Sequence, residues 1–158
     1  MFKIGYLNQH IYINLFNIKN FVTIVTGSGR GIGLEIATGF YKYGAKVIRI
    51  DLNLKKNKLP ADKHAVDFQL EYGKATMEIH KDSIDKGDSV LLIDDLIATG
   101  GTAGAAAKLI EISNGSVAGF IFVINLFDLG GAKNLTKKGM FWYAKIKWKT
   151  IQIIDKQN

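Results

Sequence analysis

The stretch VLLIDDLIATGGT, residues 90–102, joins an apolar run to two adjacent acids and then to a turn of small and hydroxylated residues. Its apolar part predicts a buried β-strand over residues 89–94, because short apolar runs bounded by turn residues are typical of parallel sheets. The Ala-rich residues 101–112 that follow predict a helix. A strand that leads into a helix through a short Gly-rich turn is a building unit of an α/β domain.

The same stretch carries polar groups that suit a sugar phosphate. Free N–H groups at the start of a helix, together with Thr hydroxyls, can hold a phosphate monoester. Asp94 and Asp95 come just before, at the expected end of the strand, within reach of ribose hydroxyls. The candidate phosphate-binding residues are Ala98, Thr99, Gly100, Gly101 and Thr102. The pattern predicts a phosphoribosyl-binding loop, and a purely structural Gly-rich turn is the alternative.

A second Gly-rich segment, VTGSGRGIG at residues 25–33, lies upstream in similar surroundings. The apolar run before it predicts a strand over 21–26, and the residues after it predict a helix over 31–43 and a strand over 46–51. Together these elements form a βαβ unit, which makes a right-handed crossover between parallel strands. The Gly-rich turn would then lie at the start of a helix, where phosphate groups bind.

The remaining segments continue the alternation of strands and helices. We expect a loop over 52–64, a hairpin or two short strands within 65–80, a buried strand over 115–127 and a last strand over 140–148. Because helices separate most of the strands, the sequence predicts a single α/β domain with one doubly wound, mainly parallel sheet.

The upstream segment has the features of a dinucleotide-binding loop. Gly27, Gly31 and Gly33 follow the spacing G-x-x-x-G-x-G, which permits a tight turn and lets the backbone approach a pyrophosphate. Asp51 follows about twenty residues later, where an acid can accept hydrogen bonds from ribose hydroxyls. Residues 21–53 resemble the opening βαβ unit of short-chain dehydrogenases/reductases, and this resemblance implies NAD as a candidate ligand.

The likeness to short-chain dehydrogenases ends with that unit. Their Asn-Ala-Gly turn does not occur in the sequence. The letters Tyr-x-x-x-Lys do occur in YAKIK, residues 143–147, but there the apolar residues alternate as in a strand. We therefore do not expect a working dehydrogenase, and NAD is a secondary alternative as a ligand.

Residues 90–102 resemble the phosphoribosyl pyrophosphate motif of the type I phosphoribosyltransferases. The flanking segments KKNKLP (55–60), LEYGKATMEIHKDSI (70–84) and VINLFDLGGAKNL (123–135) resemble adenine phosphoribosyltransferases, especially bacterial ones. The similarity runs from about residue 54 to residue 148. It implies a sheet of phosphoribosyltransferase type, and transfer of phosphoribosyl from phosphoribosyl pyrophosphate to adenine, giving AMP and pyrophosphate in purine salvage. It also implies Mg²⁺ carried by the substrate, and a homodimer.

The resemblance also implies roles for single residues. Asp94 and Asp95 would engage the ribose hydroxyls, and Glu71 would act as acid/base group or stabilise the departing bond. Glu71 lies on a segment that in the family forms a mobile lid, which excludes water from the cationic sugar. The candidate pyrophosphate and lid residues are Arg30, Lys58, Tyr72 and Lys74. The alternative for Glu71 and for the lysines and Tyr72 is an ordinary solvated surface.

The chain therefore reads as a hybrid within one domain, residues 1–158. Its expected parts are a poorly specified N-terminal segment (1–20), a dehydrogenase-like βαβ unit (21–53), a phosphoribosyltransferase-like core (54–148) and a tail (149–158). The family's N-terminal hood, which grips the purine, has no recognisable match here. Activity could therefore be impaired, and the alternative function is a non-catalytic nucleotide- or NAD-binding module or a short-chain dehydrogenase-like fragment.

The composition and charge indicate the cellular compartment and the kind of ligand to expect. The chain has 158 residues, no Cys and a formal net charge of +7, and no run approaches the roughly 18–20 apolar residues of a membrane span. We expect a cytoplasmic protein whose positive field attracts anionic substrates. The basic segment KIKWK, residues 145–149, alternates like a strand with one solvated face. Nucleic acid is therefore the less favoured partner.

Overall fold

The computed structural model describes residues 18–51, 62–70 and 73–149. In chain order the elements are β1 (Val22–Thr26), α1 (Gly31–Lys42), β2 (Lys46–Ile50), β3 (Lys63–Leu70), β4 (Gly73–His80), a 3₁₀ turn (Lys81–Ser83), β5 (Ser89–Ile97), α2 (Gly101–Ile112), β6 (Ser116–Leu126), a second 3₁₀ turn (Phe127–Leu129), α3 (Gly131–Lys137) and β7 (Trp142–Trp148). No helix in this described part of the chain is long and apolar enough to cross a membrane.

Five parallel strands form the central sheet in the order β2-β1-β5-β6-β7. The chain runs outward from β1 to β2 in one direction and from β5 through β6 to β7 in the other. Right-handed crossovers in opposite directions place α1 on one face of the sheet and α2 and α3 on the other. The expected doubly wound α/β fold is confirmed, with β3 and β4 forming a separate antiparallel hairpin.

The upstream βαβ unit is an integral part of this sheet. Val22 pairs in register with Lys46 of β2 on one side and with Val90 of β5 on the other. The strand order reverses between β1 and β5, because their helices lie on opposite faces. In open α/β sheets, ligands bind at such a reversal, outside the carboxyl ends of the strands.

Two apolar clusters, one on each face, hold the helices to the sheet. Leu92 and Phe122 belong to the larger cluster with α2 and α3, and Ile93 joins Val25 and Ala37 of the smaller cluster under α1. Successive residues of β5 thus point into opposite clusters, which is why its sequence is a continuous apolar run. Burying each large apolar side chain contributes about 1.5–3 kcal/mol.

Two strand boundaries and one short helix differ most from expectation. β5 continues through the two acids to Ile97, because its last residues still pair with β6. The hairpin begins at Lys63, where the sequence predicted a loop to residue 64, and most of that loop lies outside the described residues. Helix α3 was not predicted, since seven residues that start with Gly give a weak helical signal.

Tyr143 and Lys147 lie on β7, the edge strand of the sheet. The Tyr-x-x-x-Lys letters therefore stand on a strand, as the alternating pattern predicted, and not on a helix. The short-chain dehydrogenase arrangement of these two side chains, one helical turn apart, is absent from this strand.

Candidate active site

The upstream Gly-rich loop lines a cavity of about 640 Å³ at the carboxyl ends of β1 and β5, together with the paired acids and Thr102 of the downstream motif. We call residues 27–30, between β1 and α1, the first loop, and residues 98–100, between β5 and α2, the second loop. The predicted residues that line this cavity are Gly27, Arg30, Gly31, Gly33, Asp51, Asp94, Asp95 and Thr102. The fold thus brings together two motifs that are about sixty residues apart in the sequence.

A neighbouring cavity of about 210 Å³ lies over the second loop. It is lined by all five candidate phosphate residues, from Ala98 to Thr102, and by Asp94. Gly100 precedes the first residue of α2 and has a left-handed backbone with φ of +88°, which favours glycine. The start of α2, where backbone N–H groups are free to bind an anion, therefore borders an open cleft.

Asp94 is buried, with 8% of its surface exposed, whereas Asp95 is exposed. The strand geometry explains the difference, since successive side chains of β5 point to opposite sides. The pKa of Asp94 is raised from its ordinary value near 3.8 to about 7, first by burial and then by a hydrogen bond with Asp95. A hydrogen bond from Thr26 lowers the pKa of Asp94 in part. Near neutral pH, this pair of acids can therefore hold one proton between them.

The end of β2 holds the first loop in place. The Asp51 carboxylate accepts a hydrogen bond from the Gly29 N–H at 2.7 Å. The Ile50 carbonyl accepts hydrogen bonds from both the N–H and the hydroxyl of Ser28, at 3.2 and 3.3 Å. The Arg49 guanidinium donates through two nitrogens to the Ser28 carbonyl. Asp51, which the sequence placed against a ribose, therefore has a structural role in this loop.

The glycines of the first loop answer distinct steric needs. Gly27 and Gly31 each have a φ of +59°, and a Cβ on either would meet no atom within 4 Å. Gly33 lies inside α1, and there a Cβ would overlap the Gly27 carbonyl group. Backbone conformation thus selects glycine at the first two positions, and close packing of helix on loop selects it at the third.

Backbone from distant elements holds the second loop. The Gly131 N–H, at the start of α3, donates to the Ala98 carbonyl at 3.0 Å. On the other side, a Cβ on Gly101 would overlap the Gln69 carbonyl of the hairpin. Neither Gly131 nor Gln69 was a candidate from the sequence. Gly131 lies in the quoted segment 123–135, but a Gly-Gly pair there gave no sign of which loop it would touch.

The hairpin reaches over the larger cavity, where Phe68 and Met77 contribute to its lining. Lys74 is exposed on β4 opposite Gln69 and is not among the lining residues of this cavity. The remaining lid candidates, Lys58, Glu71 and Tyr72, lie outside the described residues.

No family model matches this chain. It is similar to curated adenine phosphoribosyltransferases. The protein from Pelagibacter ubique is 75% identical over 85 residues, which cover 54% of this chain and 49% of that protein. The protein from Cereibacter sphaeroides is 51% identical over 116 residues, which cover 71% of this chain and 65% of that protein. The chain therefore spans between about half and two thirds of the length of these curated relatives.

A solved structure extends the similarity to the fold. The adenine phosphoribosyltransferase from Thermoanaerobacter pseudethanolicus matches with a TM-score of 0.68 at 32% sequence identity. That alignment covers 89% of this chain and 77% of the solved chain. The similarity therefore extends well beyond the 85-residue segment of highest identity.

Proposed function

This chain belongs to the adenine phosphoribosyltransferase family, and from that premise we propose that it carries out the family reaction. The chain transfers the phosphoribosyl group of phosphoribosyl pyrophosphate to N9 of adenine and releases AMP and pyrophosphate. The observation that carries the proposal is that the cavity of the first loop and the cavity of the second loop are neighbours, with Asp94 and Thr102 lining both. The sugar phosphate and the leaving pyrophosphate need separate anion sites that lie close together.

Each part of phosphoribosyl pyrophosphate has a proposed partner. The 5′-phosphate binds to the second loop and to the start of α2, at Thr102. The ribose hydroxyls donate to Asp94 and Asp95. The pyrophosphate binds at the first loop, where Arg30 supplies a positive charge and the start of α1 supplies N–H groups. In this pose, C1′ of the ribose lies between the two loops.

In the reaction, the bond from C1′ to the pyrophosphate oxygen breaks and the bond from C1′ to N9 of adenine forms. Positive charge develops on the sugar ring, and the acids below the ring stabilise that charge. The proton on adenine leaves to a base, for which Glu71 is the proposed residue. The hairpin and the segment that holds Tyr72 exclude water, and Lys58 and Lys74 add positive charge near the pyrophosphate.

The available donors fit an Mg²⁺ ion that arrives with the substrate. Within the described ranges, no group of three or more His, Cys, Asp or Glu side chains lies together as a metal site. The carboxylates of Asp94 and Asp95 are oxygen donors of the kind that Mg²⁺ prefers, and the substrate phosphates would complete its coordination. When bound, the ion offsets the negative charge of the pyrophosphate.

A homodimer in the cytoplasm is the proposed setting, with adenine and phosphoribosyl pyrophosphate as small-molecule partners. Residues 1–20, which have no recognisable match to the family's purine hood, make base recognition the step most open to impairment. If the chain binds phosphoribosyl pyrophosphate but turns over slowly, impaired recognition of the base would be the reason.

The hybrid origin of residues 21–53, joined near residue 54 to the phosphoribosyltransferase-like core, is a separate part of the proposal. Its support is the Gly33 packing against the first loop, which follows the dinucleotide pattern. Against NAD as a ligand stands Asp51, whose carboxylate is engaged by the Gly29 N–H. We expect no saturable NAD binding at millimolar concentration. Binding that weakens in Gly31→Leu would instead favour the nucleotide-binding alternative.

The test is AMP formation from adenine, phosphoribosyl pyrophosphate and Mg²⁺, with the Asp94→Asn, Asp95→Asn double variant beside the unaltered chain. We expect turnover to fall by at least about 10³-fold, because the variant removes the charges that stabilise the transition state. Asp85→Asn is the matched control, since that carboxylate is exposed and pairs with Lys46 outside the cavity. It should change turnover less than about twofold.

Calorimetric titration with phosphoribosyl pyrophosphate separates binding from chemistry. Unchanged affinity in the double variant would contradict the assignment of the two acids to the ribose. A folded, unaltered chain that binds phosphoribosyl pyrophosphate without forming AMP would contradict the proposed activity and leave a nucleotide-binding module.

A further inference from the structure

We propose that Gly131 is a positioning residue for the second loop: its lack of a side chain lets the start of α3 support that loop in its phosphate-binding shape. The inference rests on the proposed function for its consequence in catalysis. Its geometric part concerns the loop alone and can be tested without substrate. Gly131 lies outside the acids and loops assigned above to the substrate.

The approach of Gly131 to the second loop is a contact of backbone on backbone. A Cβ on Gly131 would lie 2.7 Å from the Gly100 nitrogen and 2.8 Å from the Thr99 carbonyl carbon, and it would overlap the Ala98 oxygen. All three atoms belong to the main chain, so no side chain can rotate away to make room. The smallest side chain, a methyl group, therefore requires movement of the loop or of α3.

Backbone conformation does not explain this glycine. Gly131 is the first residue of α3 and is absent from the positive-φ glycines, unlike its neighbour Gly130 at +79°. Alanine is therefore acceptable to the main chain at Gly131 and strained at Gly130. Conversely, a Cβ at Gly130 would meet no atom within 4 Å. A substitution at Gly131 therefore tests the steric support of the loop, and a substitution at Gly130 tests backbone strain in the turn.

The contact acts on the groups that would bind phosphate. The Gly131 N–H holds the Ala98 carbonyl at 3.0 Å, which turns that carbonyl toward α3. A Cβ on Gly100 would lie 3.3 Å from the Gly131 Cα, so the two backbones are close here as well. Gly100 leads into the first turn of α2. In that turn the Gly104 N–H donates to the Gly100 carbonyl at 2.9 Å. Moving Gly131 outward therefore loosens the joint between the second loop and α2.

The first experiment compares Gly131→Ala with two controls, Gly130→Ala and Gly104→Ala. Gly104 lies inside α2, without positive φ, and a Cβ there would meet no atom outside its own helix within 4 Å. The affinities for ribose 5-phosphate and for phosphoribosyl pyrophosphate with Mg²⁺ should weaken by about tenfold or more in Gly131→Ala, as lost support of a hydrogen-bonded site predicts. In both controls they should change less than about twofold, although Gly130→Ala lowers the melting temperature.

Kinetics should show the same split. In Gly131→Ala, the KM for phosphoribosyl pyrophosphate should rise while the KM for adenine stays within about twofold of the unaltered value, since Gly131 contacts the loop proposed for the sugar phosphate. Equal affinity for ribose 5-phosphate in Gly131→Ala and in the unaltered chain would overturn the inference. So would a loss of affinity in Gly130→Ala that matches the loss in Gly131→Ala.

Hydrogen exchange tests the geometry without any ligand. The Gly104 amide should exchange about tenfold faster in Gly131→Ala than in Gly130→Ala, after correction for global stability. Equal exchange would overturn the positioning role. If the unaltered chain binds neither sugar phosphate, the proposed function is wrong, and this exchange comparison still decides what Gly131 does.

If the Gly131→Ala variant does not fold, a measurement on the unaltered chain still tests the inference. When ribose 5-phosphate binds, the Gly131 amide should gain protection together with the Gly104 amide, because both N–H groups are bonded to the second loop. Protection at Gly104 without protection at Gly131 would contradict the inference.

Discussion

The first loop is held by the strand that follows it in the same βαβ unit, whereas the second loop is held by elements distant from it in sequence. Asp51, Ile50 and Arg49, about twenty residues downstream, provide hydrogen bonds to the first loop. Gln69 of the hairpin and Gly131 of α3, about thirty residues away on either side, fit closely against the second loop or the start of α2.

The difference shows how two loops with similar sequence patterns can be supported in different ways. Hydrogen bonds within one unit let the first loop keep its shape when other elements move. The second loop depends on the hairpin and on α3, so motion of the hairpin can reach the phosphate site through Gly101. The loop expected to hold the sugar phosphate is thus the one coupled to the expected lid.

The largest expected effect on stability is at Gly33, where α1 packs on the first loop. Gly33→Ala should lower the free energy of unfolding by about 3 kcal/mol, because its Cβ would overlap the Gly27 carbonyl group. Gly39→Ala is the matched control in the same helix, since a Cβ there meets no atom within 4 Å. It should raise stability by about 0.5–1 kcal/mol. Urea denaturation of both variants measures the difference.

A smaller effect is expected at Asp94, which lines both the cavity of the first loop and the cavity of the second loop. Because the folded-state pKa of Asp94 is raised from 3.8 to about 7, the folded protein binds a proton that the unfolded chain loses between these values. The free energy of unfolding should therefore fall as pH rises from about 4 to about 7, with the penalty fully present above that range. Asp94→Asn should remove this slope and raise stability at pH 8 by about 2 kcal/mol.

The control for Asp94 is Asp85→Asn, a change of the same chemistry on an exposed carboxylate. It should leave the slope of stability against pH in place. A stability curve of Asp94→Asn that parallels the unaltered chain from pH 4 to pH 8 would contradict the raised pKa. Thermal unfolding over this pH range is sufficient to distinguish the two outcomes.

The smallest expected effect on stability is at Asp51, whose carboxylate supports the first loop. Asp51→Ala should lower stability by about 1 kcal/mol, because the Gly29 N–H loses its carboxylate acceptor. Asp51→Asn keeps an acceptor oxygen and should lose less than half as much. Weaker binding of pyrophosphate to Asp51→Ala than to Asp51→Asn would show that Asp51 acts through the shape of the first loop. Equal losses in both variants would show that charge, and not the hydrogen bond to Gly29, is what matters.

Local patterns predicted most of the elements. Helix α2 has the predicted bounds, 101–112, because Ala-rich composition and a preceding Gly-Gly turn both favour a helix there. The carboxyl end of β5 was misplaced, since Asp is disfavoured in strands and the local signal stopped at Asp94. Pairing of Leu96 with Ile124, and of Ile97 with Asn125, extends the strand beyond the acids.

The sequence by itself determined the doubly wound class, the paired acids and the two Gly-rich loops, because strand and helix periodicity and turn chemistry act over a few neighbouring residues. Only the tertiary structure decided that the two loops line neighbouring cavities which share Asp94, that Asp94 is buried, that Asp51 supports the first loop, and that Gly131 supports the second. Each of these depends on the distance between backbones remote in sequence. Such distances are set by how the sheet, the helices and the hairpin pack together, which no local pattern encodes.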